Sequence, residues 1–163
     1  MKRNLILTLF LTLVLGMFAT TTLLADYIEI GTGTETNNYV PFYGFYDYGW
    51  SRVIYLQSEI GQDVEITEIS YHVGNTPSNY QTIDQMIYMK HTTDSAFATG
   101  DYVDTTDYTL VFDGNVTWDG TGWHTITLDT PFIYDGIDNL EIYYQNHDGS
   151  YATGYPSFSY TAQ

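Results

Sequence analysis

Two short stretches near the C-terminus, YDGIDN (134–139) and QNHDGS (145–150), are rich in acid and amide side chains and flank one apolar run. Both supply carboxylate, amide and backbone oxygens, the donors a calcium ion takes from loops. Neither has the twelve-residue helix–loop–helix calcium spacing. Asp135, Asp138 and Asn139 are the candidate ligands of a structural calcium. The competing reading gives these residues to turns, because Asp and Asn side chains bond nearby backbone and tolerate left-handed conformations.

A second candidate is YVPFYGFYDYGW (39–50), with seven aromatics in twelve residues. Flat rings stack on sugar faces, and Tyr and Trp join an apolar body to a polar handle. Pro41, Gly44 and Gly49 point to an irregular, extended segment. Such a segment either plugs the open end or face of a fold or displays its rings to a ligand. In the second case Tyr43, Tyr46, Tyr48 and Trp50 are the stacking residues.

Signals for catalysis are poor. His72, His91, His124 and His147 are scattered, and none forms a short-spaced metal pair. No Ser sits in a nucleophile elbow, and the Gly-rich segments lack phosphate-loop spacing. Glycoside hydrolysis needs two carboxylates at a set separation. With 20 acidic residues, some pair will always meet that distance by chance. The chain has no Cys, which excludes thiolate zinc sites and cysteine nucleophiles. We therefore expect no enzyme activity and no catalytic residue.

The elements that must position these residues are strands. Helical periodicity is hard to find after residue 25, and period-two runs alternate with Gly, Asn, Asp and Pro. DYIEIG, SRVIYLQ (51–57), VEITEISYHVG (64–74), IDQMIYMKH (83–91), GWHTITLDT, NLEIYYQNH and PSFSYTA read as strands. YTLVFDGNVTW reads as a hairpin about Asp113-Gly114-Asn115, since Asp-Gly favours a tight primed turn. The phase change at Thr67–Glu68 predicts a bulge. Pro131 is expected to help close the strand before it, and DGIDN to turn the chain into Leu140–Tyr144. Asn115-Val116-Thr117 matches the N-glycosylation pattern, a weak signal inside a strand pair. The result is an all-β, antiparallel sandwich, jelly-roll-like because some connections are long, with an immunoglobulin-like arrangement as runner-up.

The N-terminus sets the expected compartment. Lys2 and Arg3 precede an apolar run, Leu5–Leu15, and a small-residue zone ending at Ala25. This is the layout of a secretory signal peptide over 1–25, too short for a membrane span, which needs ~20 apolar residues. Residues 26–163 then form a single domain, secreted or on the cell surface, with no membrane insertion after cleavage. Removing two of the four basic residues leaves two against 20 acids, a formal net charge of −18. Such a surface repels phosphate backbones, so nucleic acid is not an expected partner. Phe158 and Tyr160 alternate with Ser157 and Ser159 at the end of the chain. We expect a sandwich cut short at its C-terminus, with a last strand that is loosely held.

Several segments in order, among them IGTGTETNNYVPFYGFYDYGWSRVIYLQSEIG, MIYMKHTTDSAF and GWHTITLDTPFIYDGIDNLEI, resemble a module of large secreted bacterial proteins. That module often stands beside fibronectin type III domains and a C-terminal sorting segment. The resemblance implies a β-sandwich and a non-catalytic role in binding or adhesion, with further domains of the same polypeptide as neighbours. It carries over no catalytic residue. The expected function is an extracellular binding or adhesion module taking a glycan or a protein surface. The alternatives are a ligand-free spacer presenting a catalytic domain and, last, a small hydrolase.

Overall fold

The computed structural model describes residues 27–98, 103–149 and 151–162. The expected signal peptide over 1–25 lies outside the described residues. Those residues form eight strands: β1 (Glu35–Asn37), β2 (Gly49–Tyr55), β3 (Val64–Val73), β4 (Tyr80–Thr92), β5 (Thr109–Trp118), β6 (Gly122–Tyr134), β7 (Asn139–Asn146) and β8 (Phe158–Tyr160). A one-turn helix, α1 (Gln57–Ile60), follows β2, and a 3₁₀ turn spans Thr105–Asp107. None of the described helices is long and apolar enough to cross a membrane.

The strands make two antiparallel four-stranded sheets, in the orders β1-β8-β3-β6 and β2-β7-β4-β5. First therefore pairs with last, second with seventh, third with sixth and fourth with fifth, alternately in the two sheets. This nesting is an eight-stranded jelly roll. The inward faces alternate along each strand and meet in one core. Val73, Ile87, Met89, Val111, Trp118 and Tyr134 are fully buried there. The Trp118 indole N–H reaches the Thr82 hydroxyl at 3.2 Å, and the Tyr71 and Tyr144 hydroxyls bond across the sheets.

The expected bulge is present, with the β3–β6 register shifting between Ile66 and Glu68. Three expectations need correction. DYIEIG is not a strand; Ile28 and Ile30 instead pack on the core from an irregular segment. Asp113-Gly114-Asn115 is no hairpin turn. β5 runs straight through it, held extended by pairing with β4 from Tyr80↔Trp118 to Met89↔Thr109. The chain turns at the next Asp-Gly, Asp119-Gly120, where Gly120 takes φ of 78°. Pro131 does not close its strand, since β6 continues to Tyr134 past the bulge. β8, the last described strand, lies between β1 and β3.

Candidate functional site

One end of the sandwich is closed by the aromatic segment before β2. Phe42 is the plug. Its ring is 1% exposed and sits 5.1 Å from Tyr144 and 5.9 Å from Trp118, centroid to centroid. The backbone around it is tied down by buried side chains. Ser51 donates to Pro41 O at 2.6 Å, and the Tyr80 hydroxyl to Gly44 O at 2.6 Å. Asn146, itself buried, donates to Tyr46 O at 3.1 Å. Gly44 is required by space: a Cβ there would lie 2.6 Å from the Tyr80 hydroxyl and 2.8 Å from Tyr155 Cβ. Burial, then the charge of Asp148, pushes the Tyr80 hydroxyl up to about 12, so it stays a donor at neutral pH.

The other rings of the segment are displayed. Tyr46 is 51% exposed, Tyr48 68% and Trp50 59%, while Tyr43 is half-buried. All four line one open pocket of about 270 Å³, together with Tyr39. Its floor is Phe42, Tyr144 and Asn146. Tyr43 and Tyr46 brace each other edge-to-face at 5.2 Å, and Trp50, on edge strand β2, leans on Tyr143 at 6.2 Å. The segment thus both plugs and displays. No carboxylate, histidine or serine is among the described residues lining the pocket. What it offers is flat apolar faces ringed by hydroxyls. Desolvation, then the neighbouring Tyr155, raises the Tyr43 hydroxyl, which keeps it neutral.

The residues chosen as calcium ligands sit at the opposite end, where the protein engages the side chains of Asp135 and Asn139 and the backbone of Asp138. Asp135 Oδ1 accepts from Ile137 N at 2.9 Å and Asp138 N at 3.1 Å, a turn made by the side chain. These backbone donors, the first more than the second, hold the Asp135 carboxyl below its ordinary range against its desolvation. Asn139 Oδ1 accepts from Gln57 N at 2.7 Å and its amide donates to Asp94 O at 3.0 Å. Asp138 contributes its carbonyl, which accepts from the Tyr134 hydroxyl at 2.5 Å. Gly136, at φ of 71°, lets the loop touch the backbone of Asp63, where a Cβ would come within 2.6 Å of its nitrogen.

A charged cluster on the outward face of the β2-β7-β4-β5 sheet escaped the sequence reading. Glu141 is 1% exposed there. It receives Arg52 Nε at 2.6 Å, the Tyr108 hydroxyl at 2.5 Å and Lys90 Nζ at 3.5 Å. Arg52 also lies over Phe97 and Lys90 over Tyr108, each 4.3 Å from the ring centroid. Burial pushes the Glu141 carboxyl up, but the Arg52 and Tyr108 hydrogen bonds and the Lys90 charge outweigh it and hold it below its ordinary range. Arg52 and Lys90 are the only Lys or Arg among the described residues, so one internal carboxylate occupies both. The signal available in sequence was their scarcity.

The four histidines stay apart in function. His72 bonds Ser159, His124 the Gly120 carbonyl and His147 Gln145, while His91 Nε2 accepts from Asp135 N at 3.2 Å. Among the described residues no three His, Cys, Asp or Glu side chains form a metal-holding group. The fold and these sites define an all-β, two-sheet sandwich with an aromatic concavity at one end. Comparison with family models, curated proteins and solved structures finds no match.

Proposed function

We propose that the chain is a non-catalytic extracellular binding module that holds the flat face of a sugar ring in its aromatic pocket. The observation that carries this is the convergence of Tyr43, Tyr46, Tyr48 and Trp50 on one pocket, with three of the four rings exposed. Exposed large aromatics are costly to leave idle, and here the backbone beneath them is fixed by Ser51, Tyr80 and Asn146. A rigid platform loses little conformational entropy when a ligand docks. The lining favours binding over hydrolysis, since tyrosine hydroxyls and an amide supply no carboxylate pair.

The leader-like N-terminus and the resemblance to modules of large secreted bacterial proteins support export and further domains in the same polypeptide. The acidic surface steers away nucleic acid and favours neutral glycans. The test is a glycan array on the purified chain, followed by calorimetry with the best oligosaccharide. Trp50→Ala is expected to weaken binding about tenfold or more, as for a central aromatic contact. An array without a hit would sink the glycan reading and leave a ligand-free spacer.

A further inference from the structure

Two buried side-chain oxygens among the described residues have no hydrogen-bond partner, Asp47 Oδ1 and Gln85 Oε1. Gln85 is fully buried. Its amide has only one sensible orientation, because Nε2 donates at 2.6 Å to both Ile83 O and Asn146 Oδ1. Turning the amide over would set its oxygen against two acceptors. Oε1 is therefore an acceptor with nothing to accept from, a state that buried polar groups rarely keep without a water or an ion.

Strand phase puts it there, since Gln85 shares the core-facing parity of Ile87 and Met89, and a bulge precedes it. Thr82 pairs with Val116 and Gln85 with Gly114, so β4 carries one residue more than β5 between these points. Asp84 takes φ of 50° in that bulge, in the left-handed region. The extra residue lets Thr82, three positions before Gln85, face the core as well. Gln85 lies beside its partner Asn146 in β7.

Asp148 meets the same two residues, sharing the Asn146 Oδ1 acceptor and taking the N–H rather than the carbonyl of Ile83. Its N–H donates to Asn146 Oδ1 at 3.0 Å, and its Oδ2 accepts from Ile83 N at 3.3 Å. Gln85 and Asp148 thus share two partners, Asn146 and Ile83. Gly149 N donates to Asp47 O at 2.7 Å and brings Asp47 to the same loop. Each donor of this group already has an acceptor, and what is left over is oxygen. The described Lys and Arg do not neutralise it, because Arg52 and Lys90 are both held by Glu141. Leftover carboxylate and amide oxygens without imidazole or thiolate are the donor set of a hard cation.

We propose that Asp47, Gln85 and Asp148 hold a calcium ion, through Asp47 Oδ1, Gln85 Oε1 and a carboxylate oxygen of Asp148, with water completing the shell. Asp47 lies between Tyr46 and Tyr48, so the ion fastens the base of the aromatic segment to the β7–β8 loop.

Terbium luminescence on the chelator-stripped chain tests this, since tyrosines and Trp50 near the site can sensitise the ion. Sensitised emission that excess calcium displaces is expected. Calcium at about a hundred times its Kd is expected to raise the melting midpoint by roughly 5–10 °C over chelator. Asp47→Asn is expected to lower the affinity about tenfold or more, while Asp135→Asn, at the other end, leaves it unchanged. If Asp47→Asn does not fold, Asp148→Asn and the wild-type melt still decide. Equal midpoints with calcium and chelator, or emission unchanged in both Asp47→Asn and Asp148→Asn, would overturn the site and leave only ordered water. No sugar enters these measurements, so their failure and that of the glycan reading are separate results.

Discussion

The two ends of β7 are built from the same kinds of residue and do opposite things. At its start, YDGIDN folds its polar groups onto the protein: Asp135 into its own turn, Asn139 onto Gln57 and Asp94, Tyr134 onto Asp138. At its finish, Asn146 and Asp148 join a group that leaves the oxygens of Gln85 and Asp47 unpartnered, below rings turned to solvent. The first end spends its side-chain oxygens on backbone donors through Asp135 and Asn139. The other keeps unmet valence and exposed apolar area, the two properties a ligand can use. Composition does not separate them; the partnering of buried side-chain oxygens does.

That contrast can be broken by substitution. The largest effect is expected at the plug: Phe42→Ala should cost about 3–5 kcal/mol in urea melts, as for a buried aromatic, and abolish ligand binding with it. Next is Glu141→Gln, on the strand between the two ends. It should cost about 3 kcal/mol, the low end for a broken buried pair, because Arg52 and Lys90 keep contact with water. Its sign with pH follows from its depressed carboxyl. The unfolded chain holds that proton more tightly, so the wild-type contribution is complete above the ordinary carboxylate range and is lost as pH falls through the folded value. The variant should lose this acid-side slope in melts between about pH 5 and pH 2. Asn139→Ala, at the start of β7, should cost about 1–2 kcal/mol for the freed Gln57 N–H and leave ligand binding intact. Smallest in stability is Trp50→Ala, expected within about 0.5 kcal/mol of wild type by thermal melt despite its loss of binding. A large destabilisation there would make Trp50 a structural ring and erase the contrast.

Much of this was legible in the residues. Period-two runs located most strands, and the phase slip at Thr67–Glu68 located the β3 bulge. Tyr43, Tyr46, Tyr48 and Trp50 stood out because Gly and Pro among them argued against a plain buried strand, and they share one pocket. Three of the misses, at Asp113-Gly114, Glu141 and Gln85, share one cause, partners far away in the chain. Asp113-Gly114 carries a turn signal, yet ladder bonds to β4 keep it extended, and the same dipeptide at 119–120 turns because pairing has ended. Glu141 looked like one acid among many, since nothing local places it between Arg52 and Lys90. The orphaned oxygen of Gln85 depends on the registers of β4 with both β5 and β7, which period-two counting does not reach.

The nested pairing of strands also sets a clock. β1 pairs Glu35 with Tyr160, and Thr161 Oγ1 accepts from Thr32 N at 2.9 Å and Gly33 N at 2.8 Å, so the earliest described strand waits for the latest. A chain emerging N-terminus first cannot complete this sheet until residues 158–161 have emerged. Contacts between segments so distant in sequence make folding slow, on the order of milliseconds to seconds, which stopped-flow tryptophan fluorescence would read. Through that wait the many like charges keep open chains apart from one another. The topology that builds the aromatic end thus also makes closure of the β1–β8 pair wait for residues near 160, and the acidity of the surface opposes association of open chains during that delay.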